Sequence, residues 1–147
     1  MDKPIKLDYL NYLDFSKFTE FDFSIFFKKY KLEESIILGS FVSGYNSLVL
    51  CIKLNPIWNP VLGLNNTQYV KDHPFLFLLM PCIHKLNNEY NTETGLEFEI
   101  AKYDTKPLKN KHFDTFFKNH YGDKIQIMHS ESFSAYCITH DNNLIEL

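Results

Sequence analysis

The chain contains six histidines, and imidazole is the side chain that most often binds metals and transfers protons near neutral pH. These histidines are His73, His84, His112, His120, His129 and His140. No two of them lie four residues apart, and neither an H-E-x-x-H nor an H-x-H motif is present. Because metal-binding motifs depend on such spacing, the sequence predicts no metal site and no cofactor.

Two imidazoles and a lysine around one phosphate are enough for metal-independent cleavage of RNA. One imidazole acts as base, the other as acid, and the lysine balances charge. The second half of the chain supplies these residue types at His112, His120, His129, His140, Lys111 and Lys124. Their spacing does not indicate which of them would meet. A His-dependent hydrolase or metal-independent nuclease is therefore the alternative function.

Residues 97–102, with the sequence EFEIAK, resemble the strand of metal-dependent nucleases in which a carboxylate and a lysine flank one residue. In this chain two residues separate Glu99 from Lys102, so the two side chains would lie on opposite faces of a strand. Apolar residues alternate with glutamates over 96–100. The segment therefore predicts a half-buried strand with a solvated acidic face.

Motifs that bind phosphate are also missing. The five glycines approach neither phosphate-loop pattern, and there is no G-x-S-x-G nucleophile elbow. All fifteen basic residues are lysines, so the planar fork with which arginine binds phosphates and guanine is absent. With a net charge of −3 and no basic block, the sequence predicts no nucleic-acid partner. Because no catalytic motif is present, it also predicts no catalytic residue.

Cysteine usage and hydropathy bear on the compartment. Cys51, Cys82 and Cys137 are odd in number and outside any C-x-x-C pair, which predicts three buried, reduced thiols in a reducing compartment. The longest apolar run, over 75–80, has six residues, whereas a membrane helix needs about 20. The N-terminus carries no signal-peptide pattern. These features predict a cytoplasmic protein without a membrane partner.

The first half of the chain predicts helices around one hairpin. Leucines at every third position over 7–13 predict a first helix. Aromatic residues at helical spacing over 23–30 predict a second, with Thr19 as its N-cap. Ile36–Val42 and Leu48–Leu54 read as a hairpin. The apolar run 75–80 predicts a buried helix that is kinked near Pro81 and continues to about Tyr90.

In the second half, 106–111 predicts a connector and 113–117 predicts a short helix closed by Gly122. Ile125–His129 and Phe133–His140 predict a second hairpin, with residues 129 and 134 paired, followed by a short strand over 144–147. Strands and helices do not alternate regularly. The sequence thus predicts an α+β fold with a mostly antiparallel sheet and helices packed on one face. A chain of 147 residues predicts a single domain, 1–147.

The absence of a catalytic signature favours a binding protein over an enzyme. In size and charge the chain is similar to small immunity proteins of bacterial toxin–immunity pairs. That similarity implies a protein-binding inhibitor, which neutralises a cognate toxin by direct contact. Acidic and aromatic residues would cover the basic active site of a toxin or nuclease. The candidates are Glu89, Glu93, Glu97 and Glu99, with Trp58 and Tyr69 as anchors. A second alternative is a subunit of a larger assembly.

Overall fold

A computed structural model describes residues 13–43, 46–55, 75–88, 98–130, 133–138 and 144–145. The described elements are one α-helix, two 3₁₀ helices and eleven strands. In chain order the strands are β1 Thr19–Phe21, β2 Ile36–Ser43, β3 Ser47–Lys53, β4 Phe75–Met80, β5 Ile83–Asn88, β6 Phe98–Glu99, β7 Lys102–Pro107, β8 Phe113–Lys118, β9 Lys124–His129, β10 Phe133–Ile138 and β11 Leu144–Ile145. The helices are α1 Phe23–Lys29 and the 3₁₀ helices Phe15–Lys17 and Lys109–Lys111.

The strands form two antiparallel sheets. The first sheet has the order β1-β10-β4-β3-β2-β6, and β11 also pairs with β10. The second sheet has the order β5-β9-β8-β7. The expected α+β fold with helices packed on one face is therefore wrong, because the described chain is mostly antiparallel sheet with one short α-helix.

The segment 75–80 shows why the helix prediction failed there. It forms the central strand β4, and its side chains alternate between two buried layers. A short apolar run bounded by a proline has no periodicity that separates a helix from a strand buried on both faces. Pro81 lies just after the strand, and Cys82 adopts a left-handed φ of 53° where the chain passes to β5 in the other sheet.

The segment 113–117 was also predicted as a helix, but it forms β8. Phe113 and Phe117 lie on the same side of this strand, because side chains alternate between its two faces, and Phe116 lies on the other. Together with Phe113, the adjacent residues Phe116 and Phe117 give the i, i+3, i+4 spacing of a helix, although the true period of this strand is two residues. Gly122 does not end a helix; its φ of +87° lies in the turn between β8 and β9.

Other local predictions were confirmed in part. The hairpin of β2 and β3 is present, and α1 forms where the aromatic spacing indicated, although its N-cap is Asp22 and not Thr19. Strands β9, β10 and β11 also lie in their predicted segments. The predicted pairing of residues 129 and 134 is wrong, since β9 and β10 belong to different sheets. The helix predicted over 7–13 lies almost entirely outside the described residues.

The main core fills the space between the two sheets and α1. It includes large buried side chains from both sheets and from the helix: Phe26, Leu50, Leu78, Phe98, Phe117, Ile127 and Phe133. A second buried cluster lies on the other face of the first sheet, where Phe77 stacks on Tyr136 and where Leu13 and Phe18 pack. The second sheet contributes only one face to the main core. Its opposite face, the outer face, carries polar and charged residues.

Candidate functional site: the outer face of the second sheet

The outer face is defined by the positions that alternate with the core residues of the second sheet. Because paired residues of antiparallel strands lie on the same face, the register fixes its membership. The residues of this face are Lys102, Asp104 and Lys106 on β7; Asp114, Phe116 and Lys118 on β8; Lys124, Gln126 and Met128 on β9; and Lys85 and Asn87 on β5. Five of them are lysines and two are aspartates, in a chain whose net charge is −3.

Three of these lysines stand directly opposite one another across neighbouring strands. Lys102 pairs with Lys118, and Lys118 pairs with Lys124, so β7, β8 and β9 each contribute one ammonium group to a single line. We call these residues the lysine row. Neighbouring strands lie about 4.8 Å apart, and like charges placed directly opposite each other destabilise a sheet. Among the described residues, no carboxylate forms an ion pair with the lysine row.

Phe116 lies beside the lysine row and is half-exposed. The ammonium groups of Lys118 and Lys124 lie 5.6 and 5.8 Å from the centroid of its ring. Each of these cation–π contacts contributes about 0.5–1 kcal/mol at an exposed site, and both hold the lysines close to the sheet. The ring therefore concentrates positive charge on this face.

The two aspartates of the outer face are engaged by uncharged donors. The side-chain amide of Gln126 donates to both carboxylate oxygens of Asp114, at 2.9 and 3.0 Å. The carboxylate of Asp104 accepts a hydrogen bond from the backbone N–H of Thr105 at 2.8 Å. The face therefore keeps an excess of positive charge along its length.

At the other end of the outer face two histidines meet. The rings of His84 and His112 are stacked, with centroids 4.4 Å apart and planes 26° from parallel. Nε2 of His84 is also in hydrogen-bond contact with the hydroxyl of Ser130. We call His84 and His112 the histidine pair. His84 is the extra residue of a β-bulge, because Ile83 pairs with His129 while Lys85 pairs with Met128.

A buried chain of polar groups supports this end of the sheet from within. The hydroxyls of Thr105 and Thr115 are 2.9 Å apart, and Thr115 Oγ1 is 2.8 Å from Nε2 of His129. All three residues are buried, and the His129 ring lies against Phe113 and Phe133. His129 therefore has a structural role in joining β7, β8 and β9, and its ring does not reach the outer face.

The histidines proposed from residue type do not gather around one centre. His112 stacks on His84, His129 is buried, and Nε2 of His120 lies 3.3 Å from Oε1 of Glu99, while His140 lies outside the described residues. Within the described part of the chain, no group of three or more His, Cys, Asp or Glu side chains is placed to hold a metal ion.

Most of the residues predicted to bind a partner lie outside the described part of the chain: Trp58, Tyr69, Glu89, Glu93 and Glu97. The remaining candidate, Glu99, lies on β6 and is half-buried beside His120. Its neighbour in the EFEIAK segment, Lys102, begins β7 in the other sheet. The described structure therefore does not bring Glu99 and Lys102 together as a nuclease pair.

The prediction of three buried thiols is correct for two of them. Cys51 and Cys137 are buried in the first sheet, and burial raises the pKa of both thiols well above the usual value. Cys82 is exposed, since it lies at the corner between the sheets. All three are free.

Comparisons with protein-family models, with curated proteins and with solved structures found no match to this chain. In the part of the chain that the structure describes, no helix has the length and apolar character needed to span a membrane. The outer face of the second sheet is therefore the candidate site from which a function is inferred.

The residues of the outer face are not neighbours in the chain, so local sequence patterns did not reveal this face. Lys102, Lys118 and Lys124 form no basic block in any short window of sequence, and only strand pairing brings them into line. The alternation of β8 carried a signal, since Asp114, Phe116 and Lys118 occupy every second position. The helical interpretation of this segment concealed it.

Proposed function

We propose that the protein is a protein-binding module, of the inhibitor type, whose partner carries an acidic surface. The outer face of the second sheet is the binding surface in this proposal. The lysine row is the observation that carries it. Repulsion between the like charges offsets what the two cation–π contacts contribute, so the row has no net stabilising role, whereas a complementary acidic surface turns the same row into a source of affinity and fast association.

The position of the row also supports a binding role. Lys102 and Lys118 are exposed, and the half-exposed Phe116 beside them provides apolar area within reach of a partner. A central aromatic residue surrounded by charged groups is a frequent arrangement in protein interfaces. The lysines would steer the encounter, and burial of the ring would contribute to the lifetime of the complex.

An acidic protein fits this face better than a nucleic acid does. The chain has no arginine to form bidentate contacts with phosphates or guanine, and its net charge of −3 opposes approach to a polyanion at long range. A local excess of lysine suits the dispersed carboxylates of an acidic protein surface. A cytoplasmic location, which the sequence predicts, belongs to the same proposal.

The partner proposed here differs in charge from the basic toxin or nuclease expected from the glutamates. That expectation rests on Glu89, Glu93 and Glu97, which lie outside the described residues, and on Glu99, which is engaged with His120. Neutralisation of a toxin remains part of the proposal, with an acidic surface of the toxin as the part that is bound.

Quantitative affinity capture tests this assignment. The bait proteins are the wild type, a triple variant with Lys102→Gln, Lys118→Gln and Lys124→Gln, and a matched control. The control carries Lys28→Gln, Lys29→Gln and Lys31→Gln, at the end of α1 and beyond it. Both variants lose the same formal charge, so a difference between them reports on position.

We expect the wild type and the control to recover the same partner from the source cells, and the lysine-row variant to recover at least about tenfold less. Recovery should also fall as salt is raised, because exposed charges are screened. Equal recovery by all three baits would contradict the assignment of the surface. Recovery of nucleic acid in place of a protein, or of nothing by the wild type, would contradict the proposed function.

A further inference from the structure

The histidine pair forms a compact group of hydrogen-bond donors at one end of the outer face. His84 and His112 come from strands on either side of β9, and Ser130 follows the end of that strand. His112 and Ser130 continue the alternation of outer-face residues on β8 and β9, so both side chains are on the outer side of the sheet. His84 on β5, His112 just before β8 and Ser130 just after β9 thus lie at the same end of the outer face, and His84 contacts both of the others.

The geometry of the rings favours an anion over a metal ion. A single metal ion must lie in the plane of each imidazole that binds it, at about 2.0–2.1 Å from each nitrogen. Two rings that are only 26° from parallel, with centroids 4.4 Å apart, do not direct their nitrogens at one such point. A tetrahedral oxyanion offers several oxygens, so each ring can donate to a different one.

We propose that His84, His112 and Ser130 form a binding site for a phosphate-type oxyanion, in which the two imidazoles and the serine hydroxyl donate hydrogen bonds to separate oxygens. The class of ligand is a tetrahedral dianion, either free phosphate or a phosphate ester. This site is distinct from the lysine row, which lies at the opposite end of β8, and the inference does not depend on the proposed protein-binding function.

The backbone around the pair supports a built site. Two of the four non-glycine residues with a left-handed φ in the described chain flank it: Cys82, at 53°, and Lys111, at 62°. Cys82 lies two residues before His84, and Lys111 directly precedes His112. Such conformations cost of order 1–3 kcal/mol each and are concentrated at functional sites. Here the two left-handed residues lie next to the histidine pair, at one end of the outer face.

Charged groups on the surrounding elements favour an anion as well. Lys85 follows His84 on β5, Lys106 lies on the same face of β7, and Lys111 precedes His112. Asp114, two residues along β8, is the acidic group on this part of the face, and Gln126 donates to both of its oxygens. Near this end of the sheet, three lysines therefore outnumber one engaged carboxylate.

Sulfate is the suitable probe for this site. It is a tetrahedral dianion like the proposed ligand, and it offers separate oxygens to the two imidazoles and to the serine hydroxyl.

The experiment is titration with sodium sulfate, followed by NMR of the histidine ring nitrogens. We expect saturable shifts of the His84 and His112 signals as sulfate is added. His84→Gln and His112→Gln should each weaken binding about tenfold, and Ser130→Ala about threefold. His120→Gln is the matched control and should bind like the wild type, since His120 pairs with Glu99 elsewhere.

Inorganic phosphate and O-phosphoserine then distinguish the two sources of ligand. Tighter binding of the phosphoserine supports a site for phosphate esters, and tighter binding of inorganic phosphate supports a site for the free ion. Three results would overturn the inference. They are equal affinity in the wild type and in His84→Gln, absence of saturable shifts on addition of sulfate, and saturable binding of zinc chloride by the pair without binding of either phosphate.

Discussion

The two sheets of this protein use the same antiparallel geometry but differ in what covers them. In the first sheet, the central strands β3, β4 and β10 bury side chains on both faces. In the second sheet, only the inner face contributes to the core, and the outer face carries five lysines and the histidine pair. The first sheet is therefore covered on both faces, whereas the second sheet presents charged groups on its outer face.

The difference follows from the sequences of the strands. β4 is apolar at every position, whereas β8 and β9 alternate between side chains on the buried inner face and side chains on the outer face, most of which are polar or charged. A continuous apolar strand must be covered on both sides, and an alternating strand needs cover on one side only. Substitutions in the two sheets should consequently have very different effects on stability, and the following predictions test that contrast.

The largest effect is expected for a core residue of the first sheet. Phe77→Ala removes a fully buried ring that stacks on Tyr136 with centroids 5.1 Å apart, and it should lower the free energy of unfolding by about 3–5 kcal/mol. Phe116→Ala removes the same side chain from the outer face and should cost about 1 kcal/mol. Urea denaturation of both variants measures this comparison. Equal losses of unfolding free energy would show that Phe116 is as well packed as Phe77 and that the outer face is covered.

The next effect concerns the buried polar chain of the second sheet. Thr115→Val keeps the shape of the side chain but removes the hydroxyl that bridges Thr105 and His129, and it should cost about 1–3 kcal/mol. Thr19→Val, at an exposed position on β1, is the matched control and should change stability by less than about 0.5 kcal/mol. If the Thr115 variant is as stable as its control, the buried chain of polar groups has no structural role.

Alkaline pH should lower the free energy of unfolding through Tyr136, which lies on β10 in the first sheet. Burial raises the pKa of Tyr136 from 10.0 to about 12, although its hydroxyl oxygen accepts a hydrogen bond from the backbone N–H of Asp14 at 2.8 Å. The folded state thus holds this proton more tightly than the unfolded state does. The corresponding stability is fully present below about pH 10 and is lost as pH rises towards 12.

Tyr136→Phe should accordingly make the free energy of unfolding less dependent on pH between about 10 and 12 than it is in the wild type. Tyr121→Phe, which alters a largely exposed tyrosine, provides the control and should leave the slope of the wild type unchanged. Denaturation at several alkaline pH values measures all three slopes. Parallel slopes for Tyr136→Phe and the wild type would show that the tyrosine is ionised freely in the folded protein.

The smallest effect on stability is expected for the lysine row itself. Changing Lys102, Lys118 and Lys124 to glutamine relieves repulsion between like charges but removes two cation–π contacts. Because each term amounts to roughly 0.2–1 kcal/mol, the two should nearly cancel, and the melting temperature should shift by less than about 3 °C. A decrease of about 10 °C in the melting temperature would mean that these lysines stabilise the fold and do not serve to bind a partner.

Sequence patterns predicted those elements whose signals are local. The hairpin of β2 and β3, the helix α1 and the strands β9, β10 and β11 follow from turn residues, aromatic spacing and alternation. Segment 75–80 was assigned wrongly because a run that is apolar on every face has no period to read. Segment 113–117 was wrongly predicted as a helix because Phe116 and Phe117, which are adjacent in sequence, lie on opposite faces of β8.

The candidate site was less predictable than the fold, since it is assembled by pairing between distant residues. His84 and His112 come from strands that never pair directly, and a β-bulge is needed to bring their rings together. The lysine row similarly depends on the register of three strands. No window of sequence contains either arrangement, so the pairing of the strands has to be known before either can be recognised.

The most direct test of the central claim is lysine acetylation followed by mass spectrometry, performed on the free protein and on the complex with its captured partner. The account predicts that Lys102, Lys118 and Lys124 become at least about fivefold less reactive in the complex, while Lys28, Lys29 and Lys31 keep their reactivity. Unchanged reactivity of the lysine row, together with protection elsewhere on the molecule, would contradict the assignment of the outer face as the binding surface.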